Sequence, residues 1–250
     1  MASQGMLPFC VIYSTFLQRG YDQIIHDVAL QKLPMVFCID RAGIVGHDGP
    51  THHGLFDIAF LRCIPNLQIV SPRDGVELQN ILYTAQLGID FPLVIRYPRG
   101  YSEQETILFD FKKIPFGKGK ELKKGNTIAI LSLGTIAKNI TSVLSEIEYS
   151  EAFAHFDLCF VKPLDEVLLK YVFKNFKMVI VFEEGIKKGG VGSAILEFAS
   201  EREYKVPIIL EGVDDQFVPH GKIADLMSEV GLDKKSIKNK LQLLLNKIQG

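Results

Sequence analysis

The strongest constraint on the fold is a repeated alternation between short apolar runs and longer segments with helical spacing. MVFCI at 35–39, PLVIRY at 92–97 and TIAILSLG at 127–134 are almost continuously apolar instead of alternating with polar residues. The segment that precedes MVFCI places Tyr21, Ile24, Ile25, Val28 and Ala29 at helical intervals. Strands covered on both faces have this appearance, so the pattern predicts parallel sheets between layers of helices. We expect an α/β protein.

The alternation is interrupted once, between residues 101 and 126, by a charged, glycine-rich stretch with GKGKELKKGN at its centre. Since a new apolar strand follows at once, we interpret this stretch as a connection between domains, with a hairpin at a sheet edge. A long surface loop within one domain is the alternative. The predicted architecture is two doubly wound α/β domains, residues 1–105 and 126–250, joined by a linker at 106–125.

Composition narrows the class of protein. A formal net charge of −1 disfavours a nucleic-acid-binding surface. No run of about 18 apolar residues is present to cross a membrane, and MASQGMLPF lacks the features of a signal peptide. The four cysteines form no CxxC pair, which fits buried thiols in a reducing compartment. We expect a cytoplasmic protein without nucleic-acid or membrane partners.

Three further motifs have local interpretations. SPRD predicts a helix start with Ser71 as the N-cap and Pro72 as the first helical residue. The glycines of GGVGSA at 189–194 match no phosphate-binding motif and indicate close packing of a helix start, without a ligand. Glu183 and Glu184 follow a buried strand; we interpret them as carboxylates at a domain interface, and an acid–base pair is the alternative.

The segment HDGPTHHG at 47–54 is the most unusual in the chain, with three histidines and an aspartate in eight residues. It follows the strand MVFCI, just as YPRG follows LVIRY and STFLQR follows PFCVIY. Ligands bind at the carboxyl ends of strands in open parallel sheets. If these strands are neighbours, one rim would carry Tyr13, Arg19, Arg41, Asp48, His52, His53 and Arg99.

Anion recognition explains this rim better than metal binding does. The histidines lack the HExxH spacing of a zinc protease, and the adjacent pair His52 and His53 would point in different directions. A solvated polar turn is the simpler alternative. Arg41 and Arg99 favour an anion site, because two guanidinium groups at strand ends suit a phosphate or carboxylate, with histidine available for proton transfer.

The motifs YSTFLQRGYDQIIHDVALQKLP, DRAGIVGHDGPTHHG, CIPNL, SPRD, RYPRG, FVKPLDE and GGVGSA, in this order, resemble the 1-deoxy-D-xylulose-5-phosphate synthase family. That family belongs to the thiamine-diphosphate-dependent transketolase superfamily. The resemblance implies a transferase that condenses pyruvate with glyceraldehyde 3-phosphate, releasing CO2, in non-mevalonate isoprenoid biosynthesis. It also implies a homodimer, with thiamine diphosphate and Mg²⁺ as cofactors. Residues 1–105 would be part of a pyrimidine-binding domain, and 126–250 a transketolase C-terminal domain.

The resemblance also assigns roles to the rim residues. Arg41 and Arg99 would hold the substrate phosphate, and Tyr13, Asp48 and His52 would contact its hydroxyl and carbonyl groups, with His52 and Asp48 as the catalytic residues. Phe16 would stack on the aminopyrimidine ring of the cofactor, and Arg19 would line the same cavity. No metal ligand is expected in this chain.

The chain departs from the family pattern in two respects. No GDG triplet, the family's diphosphate and Mg²⁺ motif, occurs in it, and the glutamate that activates the pyrimidine lies outside it. We therefore expect a C-terminal piece of the synthase that is inactive without the missing N-terminal domain or an equivalent subunit. The alternatives are a β-type subunit of a split transketolase or 2-oxoacid dehydrogenase, and a non-catalytic binding module.

Overall fold

A computed structural model describes residues 1–102 and 110–249 of the chain. The strands are Phe9–Tyr13 (β1), Val36–Asp40 (β2), Gln68–Val70 (β3), Leu93–Arg96 (β4), Lys120–Lys123 (β5), Ile128–Leu133 (β6), Phe153–Asp157 (β7), Phe160–Lys162 (β8), Met178–Ile186 (β9) and Ile208–Val213 (β10). The α-helices are Ser14–Leu17 (α1), Tyr21–Gln23 (α2), Asp57–Leu61 (α3), Gly75–Gln86 (α4), Ile136–Leu144 (α5), Glu166–Asn175 (α6), Val191–Glu201 (α7), Ile223–Glu229 (α8) and Lys234–Gln249 (α9). In the described ranges, none of them is long and apolar enough to span a bilayer.

The strands form two five-stranded sheets. The first has the order β1-β2-β4-β3-β8, and its first four strands are parallel. The second has the order β10-β9-β6-β7-β5, in which β5 alone is antiparallel to its neighbour. The predicted α/β class, with parallel strands between helices, is confirmed.

The run AFAHFDLCFV divides between the two sheets. Its first half forms β7 in the second sheet, and its second half forms β8, which adds to the first sheet antiparallel to β3. The reversal takes place at Leu158 and Cys159, where Cys159 has a positive φ of 55°. The first sheet therefore obtains its last strand from the C-terminal half of the sequence.

One apolar core spans both sheets. Phe37 and Ile39 of β2 belong to the same buried cluster as Leu131 of β6 and Val181 of β9. A second cluster lies on the opposite face of the second sheet, where Ile237 and other leucines and isoleucines of α9 are buried. The amphipathic last helix therefore packs its apolar face against the second sheet.

Two local predictions need correction. Asp74, not Ser71, caps α4: its carboxylate accepts the Glu77 N–H at 2.8 Å, and the helix begins at Gly75. The proline rule placed the start three residues too early, since a buried Ser71 pairs its N–H with the Cys159 carbonyl instead. The predicted edge hairpin is also wrong for the described part of the connection, because β5 pairs with β7.

The predicted domain division at 106–125 stays a prediction. Residues 106–109 of that linker lie outside the described residues, and residues 120–123 form the edge strand of the second sheet.

Candidate active site

The carboxyl ends of three neighbouring parallel strands create the site. Because β1, β2 and β4 pair in register, Tyr13 at the end of β1 lies beside Asp40 at the end of β2, and Ile39 pairs with Arg96 of β4. The segments that leave these strands therefore begin at one rim of the first sheet, as the sequence predicts.

The two arginines meet at one carboxylate. Arg41 Nη1 lies 2.5 Å from Asp48 Oδ2, and Arg99 Nη1 lies 2.8 Å from the same oxygen. The Asp48 side chain is about one-third exposed, and that of Arg99 is 52% exposed. Two cations converging on one oxygen atom create a position suited to an anion, and solvent can reach it.

Aromatic rings extend this site toward His52. The Arg41 guanidinium lies over the Tyr13 ring, with 4.1 Å between Cζ and the ring centroid. Tyr13 stacks on Phe16 at a centroid distance of 5.3 Å, and Phe16 meets His52 edge-on at 5.4 Å. His52 Nδ1 is 2.9 Å from Thr51 Oγ1, which leaves Nε2 as the nitrogen available to a ligand.

A cavity of about 460 Å³ opens next to these rings. It is lined by Thr15, Phe16, Gln18, Arg19, Pro50, Thr51, His52, His53, Phe56 and Phe217. The structure thus brings together seven of the proposed residues: Tyr13, Phe16, Arg19, Arg41, Asp48, His52 and Arg99. His53, which the sequence also placed on this rim, is buried and has both ring nitrogens bonded within the protein. Their individual roles stay predictions.

Backbone geometry fixes the segment that carries these groups, residues 41–54, which we call the site loop. Its two ends are joined by Gly43 and Gly54, which exchange N–H to carbonyl hydrogen bonds at 2.8 Å in both directions. A Cβ at Gly54 would lie 2.4 Å from the Arg41 carbonyl oxygen, closer than any side chain is tolerated. Only glycine allows this close approach of the two ends of the site loop. The closure therefore brings the Arg41 end of the loop next to the His52 end.

A buried ion pair contacts the end of the site loop. Arg96 Nε donates to both oxygens of Asp57, at 3.0 and 2.9 Å, and Arg96 Nη2 donates to the Gly54 and Glu184 carbonyls. Ser14 Oγ also donates to Asp57. The Arg96 guanidinium therefore joins the site loop to β9 of the second sheet, and Asp57 links α1 to the same group.

The acidic pair in β9 has structural partners. Glu184 Oε1 accepts the Ile44 N–H of the site loop at 2.8 Å, and the residue lies within β9, not after it. Its interpretation as a carboxylate at a domain interface stays a prediction, as the domain division does. Glu183 accepts the Val191 and Gly192 N–H groups at the start of α7. A Cβ at Gly190 would lie 2.2 Å from the Glu183 carboxylate, so the glycines of GGVGSA do serve close packing.

Burial changes the acidity of several groups near the interface. Desolvation raises the pKa of Glu183 to about 7 and also raises the pKa of Glu184. Desolvation raises the pKa of Asp40, although the positive charge of Arg41 partly opposes it. Asp40 Oδ1 is buried without a hydrogen-bond partner in the described part of the chain. Tyr97, beside the same rim, has its pKa raised to about 12 by burial, so it stays protonated at neutral pH.

The sequence interpretation missed two groups of residues. The first is the pair of Arg96 and Asp57, each the lone charge in an apolar run, a signal that a buried partner is required. The second is Phe56 and Phe217, whose rings meet edge-on at 6.1 Å at the cavity wall. Phe217 comes from the loop after β10, and no local motif indicates that it reaches the site.

Comparison with known proteins identifies the class. Residues 1–104 match the family described as the transketolase pyrimidine binding domain, and residues 117–237 match the transketolase C-terminal domain. A solved structure described as a split gene transketolase, an inactive β4 tetramer, superposes with a TM-score of 0.83 at 27% identity, covering 98% of this chain and 78% of that one. A transketolase from Campylobacter jejuni shares the fold at 21% identity, with a TM-score of 0.70 over 95% of this chain and 35% of that one.

The chain belongs to the transketolase superfamily, through its pyrimidine-binding and C-terminal domains. Within it, the similar curated proteins are 1-deoxy-D-xylulose-5-phosphate synthases. The one from Bacteroides fragilis is 50% identical over 97% of this chain, and that from Cytophaga hutchinsonii is 49% identical over 95%. The chain spans 39% and 38% of the length of these two relatives.

Proposed function

We propose that this chain supplies the acceptor-substrate side of a 1-deoxy-D-xylulose-5-phosphate synthase. The reaction is the thiamine-diphosphate-dependent condensation of pyruvate with glyceraldehyde 3-phosphate, with release of CO2, in the cytoplasm. The observation that carries the proposal is the convergence of Arg41 and Arg99 on the Asp48 carboxylate. Similarity to synthases over nearly the whole chain supports the choice of substrates.

Arg41 and Arg99 bind the phosphate of the aldehyde. Their guanidinium groups come from different strand ends, so a phosphate that enters between them is held from two directions. Asp48 balances one of the two positive charges when the phosphate is absent, and it occupies the position to which the Arg41 and Arg99 N–H groups point. Substrate binding therefore shifts the Asp48 carboxylate toward the hydroxyl of the substrate.

Tyr13, Asp48 and His52 orient the carbon end of the aldehyde. His52 is held by Thr51 through Nδ1, so its Nε2 can exchange a proton with the carbonyl oxygen as that oxygen becomes a hydroxyl. Asp48 accepts a hydrogen bond from the substrate hydroxyl. The two residues are the proposed catalytic groups of this chain.

The cavity fits one end of thiamine diphosphate. Phe16 presents a 38% exposed ring that suits stacking on a flat heteroaromatic ring, and Arg19 lines the same wall. When bound, the cofactor supplies the carbanion chemistry that joins the two substrates. The described residues contain no group of three side chains able to hold a metal. We place Mg²⁺ and the diphosphate on another domain or subunit, and no metal ligand here.

Assembly is the second part of the proposal. The chain pairs with a diphosphate-binding domain, present either in a longer form of the same protein or in a separate subunit, and forms a homodimer. The split gene transketolase of similar fold favours the second arrangement as a candidate, a β-type subunit. An upstream reading frame that encodes a GDG motif would indicate the first arrangement, and an adjacent gene for such a domain the second.

Reconstitution tests the function. The chain would be mixed with a separately produced diphosphate-binding domain, thiamine diphosphate, Mg²⁺, pyruvate and glyceraldehyde 3-phosphate. We expect 1-deoxy-D-xylulose 5-phosphate only from the mixture, and none from the chain alone. Arg99→Met should lower the yield by raising the KM for the aldehyde. A mixture whose partner domain is shown to bind the chain, yet which forms no product, would favour a non-catalytic binding module.

A further inference from the structure

The loop between β10 and α8 holds the site loop from the side of the second sheet. We call its residues 214–221 the clasp segment. The Gly221 N–H is 3.4 Å from the Gly46 carbonyl, and Cβ of His220 lies against Gly49. Gly46 has a φ of +82°, and a Cβ there would lie 2.9 Å from Ile223. The two loops therefore fit together in one arrangement, next to the cavity.

His53 is the side chain that joins the two loops. It is only 3% exposed, and both of its ring nitrogens are occupied. Nδ1 accepts the Val45 N–H at 3.1 Å, and Nε2 lies 3.0 Å from the Pro219 carbonyl oxygen. A carbonyl only accepts and a backbone N–H only donates, so one assignment satisfies both bonds: the neutral ring with its proton on Nε2.

We propose that His53 is a positioning residue, through which the clasp segment sets the orientation of His52 and Asp48 at the anion site. His53 does not touch the ligand position itself, because both nitrogens are engaged within the protein. It fixes the loop at the residue adjacent to His52, and its bond to Val45 closes the turn that contains Asp48. The second sheet thus takes part in a site built on the first.

The clasp segment also contributes Phe217 to the lining of the cavity. Phe217 follows Gln216 in the clasp segment, the residue is 77% exposed, and its ring meets that of Phe56 at the cavity wall. The His53–Pro219 hydrogen bond joins the clasp segment to the site loop two residues after Phe217, next to Val218, which belongs to the same buried cluster as Ile44.

Two substitutions each remove one hydrogen bond of the His53 ring and keep the other. Asn places its amide oxygen near the position of Nδ1, so His53→Asn keeps an acceptor for Val45 and loses the bond to Pro219. Gln places its amide nitrogen near Nε2, so His53→Gln keeps the donor to Pro219 and loses the acceptor. His26→Asn is the control, because His26 is exposed and its ring pairs with Asp22 in a surface i,i+4 contact.

The measurements are the Kd for inorganic phosphate by calorimetry, the Tm, and the imidazole ¹⁵N signals by NMR. We expect His53→Asn to weaken phosphate binding about fivefold, the effect of one hydrogen bond, and to shift the His52 signals. His53→Gln should retain more of the affinity at a similar Tm, and His26→Asn all of it. The wild-type His53 signals should show the Nε2–H form.

Other results would overturn the proposal. If both variants keep the wild-type Kd and His52 signals, or lose affinity equally in proportion to their loss of Tm, His53 is only structural. The inference rests on the proposed function for its ligand. If the wild-type chain does not bind phosphate, the proposed anion site fails, and the His52 signals of the variants then decide the positioning role alone.

Discussion

Arg96 and Asp57 form an ion pair at 2.9 Å, and the two side chains are 6% and 1% exposed. Removing one partner leaves the other charge buried and unpaired, so we expect Arg96→Met to lower the free energy of unfolding by about 3–5 kcal/mol. The double variant Arg96→Met/Asp57→Leu should recover a large part of this loss. Urea denaturation measures both.

Lys188→Met is the matched control for this pair. Lys188 and Asp215 are 74% and 75% exposed, and such surface pairs contribute about 0–1 kcal/mol. A single Arg96 variant as stable as this control would mean that the buried pair does not hold the strand ends together.

Because Arg41 and Arg99 share the Asp48 carboxylate, we predict that removing its charge strengthens phosphate binding. Asp48→Asn keeps the shape of the side chain but removes the negative charge that the two arginines share. Inorganic phosphate would then meet two unpaired guanidinium groups. For partly exposed ion pairs we expect binding about two- to fivefold tighter at low ionic strength, with a smaller gain as salt is added. Calorimetry gives the Kd, and weaker phosphate binding by the variant would argue against an anion site between these arginines.

The buried carboxyl group of Asp157 predicts how stability depends on pH. Arg73 Nη1 donates to both Glu77 and Asp157 at 3.0 Å, and Asp157 is fully buried. Desolvation, reinforced by the charge of Glu77, raises the pKa of Asp157 from 3.8 to about 7. The folded state therefore binds a proton more tightly than the unfolded state, and this contribution to stability is lost as pH rises from about 4 to 7.

Desolvation of Glu183, whose pKa is also raised to about 7, adds a change of the same sign. We expect the free energy of unfolding to fall between about pH 4 and 7, and Asp157→Asn to reduce that slope. Asp215→Asn, in the exposed surface pair with Lys188, should leave the slope unchanged. Urea denaturation at four pH values gives the slope, and equal slopes in Asp157→Asn and the wild type would contradict the assignment.

The strand β8 predicts that the two halves of the chain are coupled in folding. Phe160 is 1% exposed and packs with Val36, Val70 and Ile95 of the first sheet. Phe160→Ala should cost about 3–5 kcal/mol, and it should increase hydrogen exchange in β3 and β4. Leu243 of α9 is 60% exposed, so the free energy of unfolding of Leu243→Ala should stay within about 0.5 kcal/mol of the wild type. Increased exchange confined to the second sheet would contradict this coupling.

The elements that were predictable are those with local signals. Largely apolar runs predicted β2, β4, β6 and β9. The rule that ligands bind at the carboxyl ends of parallel strands predicted that the rim residues lie close together. The strand β8 was not predictable, because periodicity does not tell which sheet an apolar run joins. The N-cap of α4 was missed because Ser71 and Asp74 both suit that position, and the pairing of Ser71 with Cys159 depends on the tertiary fold.

In the site, the charged residues of the glycine-rich loops were predictable, and the contacts from the second sheet were not. Arg41, Asp48 and Arg99 lie in the segments that leave the carboxyl ends of β2 and β4, so their common rim follows from topology. The contact of His53 with Pro219 joins residues 166 positions apart, and no spacing rule covers such a distance. Three histidines in one loop suggested ligand contacts, but the roles of His52 and His53 differ by burial, which a sequence does not show.

The most direct test of the account is calorimetric titration of the chain with glyceraldehyde 3-phosphate, together with the variants Arg41→Met and Arg99→Met. We predict saturable binding that weakens with salt, and a loss of about tenfold or more in affinity for each variant at unchanged Tm. Binding that is unaffected by both substitutions, or absent from the folded wild-type chain, would contradict the phosphate site.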